Sequence, residues 1–147
     1  MNLRRISTVF LSALLLLTLL GRAEAAPTEV KGAAILDHPC GKVAVKHMGL
    51  VHAGKMEEAT KLGTKEMQDE WKKLPADERE MMSGMMKEMS KAEGQFSDEI
   101  KAHGLLVVDG DKGTLTISQE HKDENGSSTQ TTTQRYKIDG ATCLISR

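Results

Sequence analysis

The sequence predicts an α+β domain: N-terminal helices packed on a four-strand antiparallel sheet. Three observations carry that prediction. Apolar residues recur at three- and four-residue spacing up to about residue 92, then alternate from about residue 104 onward. Glycine-centred turns, around Gly110, Asn125-Gly126 and Asp139-Gly140, divide the second half into short runs. Helices followed by strands, with no internal repeat, argue for α+β rather than an alternating parallel architecture.

The N-terminus comes before the domain. Arg4 and Arg5 are followed by an apolar run over 9–20, interrupted only by Ser12 and Thr18, and then by Ala23-Glu24-Ala25. This is the pattern of a cleavable secretory signal over 1–25, and it predicts a periplasmic or secreted protein. The run is shorter than the roughly 20 residues that span a bilayer, and no cysteine follows it to carry a lipid. No transmembrane segment is expected in the mature form. Cleavage leaves 122 of the 147 residues; the segment removed carries three arginines and one glutamate, which takes the net charge from −1 to −3. That length is one domain, and a mildly acidic balance offers no basic footprint for nucleic acid. Residues 26–38 are expected as an N-terminal tail and 39–147 as the single folded domain.

Asp37-His38-Pro39 reads as a helix entry, with proline at the first helical position and a polar cap before it. Helix one is expected over 40–53, with Cys40, Val43, Ala44, His47, Met48, Leu50 and Val51 on one face and Gly54 as its stop. A short second helix follows, with Met56, Ala59 and Leu62 inward. Thr64 caps a third segment with Met67, Trp71 and Leu74 as its apolar positions. Pro75 opens the longest helix, expected over 76–92, with Gly94 ending or bending it. Strands are expected over 104–109, 114–121, 129–138 and 141–146. The charged runs 65–73 and 77–80 read as solvated helix faces.

Aromatic residues are scarce after residue 25: Trp71, Phe96 and Tyr136 are the whole set, beside eight methionines. A thioether-rich interior is adaptable. Met81, Met85 and Met89 recur at i, i+4 and i+8, with Met82 and Met86 beside them. Helical spacing alone accounts for this stripe as core packing. An alternative is capture of copper as Cu(I) by Met81, Met85 and Met89, since thioethers favour that ion. A third reading is an exposed groove for a lipid or protein. Cys40 and Cys143 form an even pair that an oxidising compartment would allow to join as a disulfide; two separate buried thiols are the alternative. His47, on the apolar face of helix one, reads first as a core histidine; His38, His52, His103 and His121 read as solvated or loop residues. Asn125-Gly126-Ser127 is a glycosylation sequon whose turn role suffices to explain it. The Thr-rich strand has one polar face suited to a sheet contact in a homodimer.

The run Leu50-Val51-His52-Ala53-Gly54-Lys55, the short helix after it, the strand pair from Gly104 to Ile117 and the close from Tyr136 to Arg147 together resemble NTF2-like domains, also called SnoaL-like or cystatin-like, including small secreted lumazine-binding-like and domain-of-unknown-function groups. Cys143 stands about where that family places a tryptophan. The resemblance implies a curved sheet wrapped into a cone whose open end takes a small apolar ligand. Val43, His47, Val51, Met82, Met85, Leu115, Ile117 and Tyr136 are the expected lining. Members include isomerase- or dehydratase-type enzymes that use a pocket tyrosine and carboxylates. Here helix one has no tyrosine, and the strand interiors 105–108 and 114–119 have no acid. The leading expectation is therefore a non-enzymatic exported domain that binds a small apolar ligand or pairs through its sheet.

Overall fold

The computed structural model describes residues 25–123 and 126–147, so all but the last residue of the expected leader over 1–25, and Asn125, lie outside the described residues. The chain runs β1 (Thr28–Lys31), α1 (Ala34–Asp37), α2 (Pro39–His52), α3 (Met56–Thr60), α4 (Lys65–Lys73), α5 (Ala76–Met89), α6 (Glu93–His103), β2 (Gly104–Asp109), β3 (Lys112–Asp123), β4 (Gly126–Asp139) and β5 (Thr142–Ser146). The five strands form one antiparallel sheet in the order β1-β2-β3-β4-β5.

The fifth strand corrects the expected four. Residues 28–31, expected within a tail, pair with β2, Thr28 facing Val108 and Lys31 facing Leu105. Two further differences are helical. α1 places Ile35 at 0% exposure from a stretch expected within the N-terminal tail. α6 buries Phe96 and Ile100, one turn apart, where no helix was expected. Gly94 therefore lies inside a helix and terminates none. α5 stops at Met89 instead, because the Ser90 hydroxyl donates to the Lys87 carbonyl at 2.6 Å and Ser90 turns extended.

Local chemistry explains the other boundaries. His38 caps α2: its Nδ1 accepts from the Cys40 amide at 3.2 Å, with Pro39 in the first turn. α2 ends where Gly54 takes φ +72°, a left-handed conformation that returns the Lys55 amide to the Leu50 carbonyl at 2.8 Å. The Thr64 hydroxyl accepts from the Met67 amide and starts α4.

The inward pleat of the sheet supplies Leu106, Leu115, Ile117, Tyr136, Cys143 and Ile145; the helices supply Ile35, Cys40, Ala44, Phe96 and Ile100. A smaller cluster of Val51, Met56, Ala59 and Trp71 joins α2, α3 and α4. Cys40 and Cys143 are joined, with Cα atoms 5.0 Å apart and both residues buried, so the start of α2 is fastened to β5. The link between α3 and α4 also docks on β5: the Thr64 amide donates to the Ile145 carbonyl at 2.9 Å, and the Ile145 amide donates to that of Leu62 at 3.0 Å.

α1 packs so closely on α2 that a Cβ at Gly41 would stand 1.8 Å from the Ile35 carbonyl oxygen. Backbone cannot yield as a flexible side chain does. Gly41→Ala is therefore expected to cost about 3 kcal/mol, at the upper end of overpacking effects. Chemical denaturation would measure it, and a loss below about 0.5 kcal/mol would contradict this packing.

Candidate functional site

α5 changes the reading of the methionines. It contains no buried residue. Met81, Met85 and Met89 are 62%, 55% and 73% exposed, and Met82 is 38% exposed. The stripe is not core packing: a periodic face marks a helix but does not identify which side meets the protein. Met82 and Met86 turn toward the domain, whereas Met81 and Met85 do not contribute to its groove.

That groove has a volume of about 360 Å³ and lies between α2, α3, α4, α5 and the end of β5. Met56 and Ala59 come from α3, Met67 and Trp71 from α4, and Met82 and Met86 from α5; Leu74 and Ile145 complete the apolar wall. α4 presents Met67, Trp71 and Leu74 because they lie three and four residues apart. Trp71 is held at its polar edge, where its Nε1 donates to Glu57 Oε1 at 3.2 Å. Arg79 donates to the same oxygen, also at 3.2 Å, which leaves the indole face to the groove.

Five side chains bring polarity to the groove: His47, Thr60, Glu70, Gln134 and Arg147. Arg147 donates to Glu70 Oε1 at 2.9 Å, and its second terminal nitrogen lies against Oε2. His47 enters from α2, and burial holds its imidazole below the ordinary pKa of 6.5. A second cleft of about 370 Å³ lies behind Trp71, but Lys55, Glu57, Glu58, Arg79 and Glu80 give it a charged rim. A third, about 160 Å³, contains Met48, Met89, Phe96 and Ile117.

The expected lining is only partly brought together. His47 and Met82 line the groove. Val51 is buried in the adjoining small cluster, and Val43 packs half-buried against the main core. Leu115, Ile117 and Tyr136 belong to that core, with Ile117 also bordering the smallest cleft. Tyr136 is 1% exposed, opposite Gly113 and Ile145, and burial pushes its phenol well above the ordinary range. Met85 lies outside the groove. Met56, Met67, Trp71, Leu74, Met86 and Ile145 were not among the expected lining. Their shared signal was weak: each sits at an inward position of its own element, and only the packing of α3, α4 and α5 beside β5 makes them neighbours.

His38, expected as a solvated residue, is the cap of α2. Its pKa is lowered from 6.5 by burial, as is that of His47. A histidine whose folded pKa lies below its unfolded value binds fewer protons when folded. Its stabilising contribution is complete above about pH 6.5 and is lost as pH falls through the folded pKa. The melting temperature is expected to decline below pH 6.5. His38→Asn, which keeps a capping acceptor without titrating, should flatten part of that decline. An unchanged slope would remove His38 from this account.

The chain matches no protein-family model, no curated protein and no solved structure.

Proposed function

We propose that this chain is an exported, non-enzymatic binding domain of NTF2-like architecture that takes a small apolar guest in the groove beside Trp71. One observation carries the reading: a groove of about 360 Å³ walled by thioethers, an indole and aliphatic groups, with its one carboxylate paired to a guanidinium. That volume lies at the lower end of small-molecule sites, and methionine walls adapt to guests of differing shape. The order of helices before an antiparallel meander supports the architecture. The joined cysteines and the N-terminal signal pattern support export.

A second reading has its own observation. Met56, Met67, Met82 and Met86 reach one groove from three helices, together with a half-buried His47 whose neutral form burial favours. Thioethers with an imidazole are a soft donor set suited to Cu(I). The row Met81, Met85 and Met89 is less suited, because its ends are about 12 Å apart along the helix and do not converge on one ion.

Trp71 is the chain's only tryptophan and reports on the groove directly. Under the first reading, titration with decanol shifts its emission to the blue, and Ag(I), a stable stand-in for Cu(I), leaves it unchanged. Under the second, one equivalent of Ag(I) quenches it and decanol does nothing. Indifference to both would overturn both.

A further inference from the structure

We propose that this chain forms a twofold dimer by pairing the outer edge of β4, residues 126–134, antiparallel with the same segment of a second copy. β4 is fourteen residues long, but β5 pairs with it only from Arg135 to Asp139. Residues 126–134 therefore present one edge that no described strand covers.

Exposed strand edges template pairing unless charge, proline, short length or a covering segment blunts them. Among the described residues, the other edges of this sheet are blunted. β1 is four residues long and carries a Glu29–Lys31 ion pair at 3.0 Å. β5 is covered by the Leu62–Thr64 link. β2 ends opposite Ile117, and the β3 sequence beyond it continues through Glu120, His121, Lys122 and Asp123. The β4 segment is different: Gly-Ser-Ser-Thr-Gln-Thr-Thr-Thr-Gln has no charge and no proline, and it is exposed from Gly126 to Thr133.

The segment is also complementary to itself. A twofold axis through Gln130 sets Thr129 against Thr131, Ser128 against Thr132 and Ser127 against Thr133. No charges oppose each other, and hydroxyl-bearing pairs of this kind stabilise antiparallel strands. The ribbon needs such support. Among the described residues, β3 after Ile117 and β4 before Arg135 pair only with each other. An isolated two-stranded ribbon is marginal in water, and a second copy makes it four-stranded. An edge joint of this length is a small interface, below about 1,200 Å², so micromolar dissociation is expected.

Sedimentation velocity from micromolar to millimolar concentration, on protein purified from an exporting host, tests this. The expected result is a reversible monomer–dimer equilibrium. Gln130→Lys and Gln130→Glu each place like charges together on the axis, and each should weaken dimerisation about fivefold. An equimolar mixture of the two should recover the dimer. A monomer at every concentration would overturn the proposal. So would a dimer that neither charge disturbs, because that contact lies elsewhere.

Discussion

Breaking the Cys40–Cys143 bond is expected to lower stability by about 4 kcal/mol. The bond closes a loop of 103 residues, and restricting so long a loop in the unfolded chain is worth about 4–5 kcal/mol in the entropic account. Both residues are buried, so replacement with alanine leaves only a small void and introduces no hydroxyl into the core. Guanidinium unfolding of the Cys40→Ala, Cys143→Ala protein, and of the natural chain with and without reductant, measures the difference. A loss below about 1 kcal/mol in both experiments would show that the bond imposes little constraint. Agreement between the two would separate the effect of the bond from that of the substitutions.

The second large effect concerns the groove. Met86→Asp is expected to weaken decanol uptake at least about 100-fold, because a carboxylate in an apolar wall must stay hydrated or be neutralised. Met85→Asp carries the same charge one residue earlier on the same helix, but it points away from the groove and should leave uptake within about twofold. The pair controls for charge on α5, and Met86→Leu controls for loss of the thioether in the local fold. Equal losses from both aspartates would mean that α5, rather than this groove, governs binding. Under the soft-metal reading the same pair separates the donors. Met86→Asp removes a thioether from the converging set, whereas Met85→Asp does not.

The main elements were legible where the sequence carries stop and start chemistry. Pro39, Gly54, Thr64 and Pro75 place both ends of α2 and the starts of α4 and α5 within a residue or so, α5 ends three residues before the expected 92, and β2 falls on the expected span. β1 was not legible because Thr-Glu-Val-Lys has a single large apolar residue and becomes a strand only by pairing with β2. α6 was not legible because just two large apolar residues, Phe96 and Ile100, mark its face. The groove was half legible for a related reason. Periodicity names the inward side of each helix, and it correctly gave Met67, Trp71 and Leu74 to one face. How α4 and α5 lean on α2 decides which of those faces stay open and which close, and that angle depends on contacts between distant residues. The methionines of α5 show the consequence most clearly: one repeat supplies both the groove wall and an exposed row.

One feature of the fold links chemistry at one end of the molecule to shape at another. β5 holds a sulfur of the disulfide on its inward side, lends Ile145 to the groove wall, and carries the Leu62–Thr64 link between α3 and α4 along its backbone. A single strand thus acts as the common anchor for the redox bond and for the two helices that hold Met56 and Trp71. No cysteine touches the groove, yet its walls are braced only as firmly as β5 is. Cys143 and the groove-wall residue Ile145 lie two residues apart on that strand, so the bond and the groove share one backbone segment.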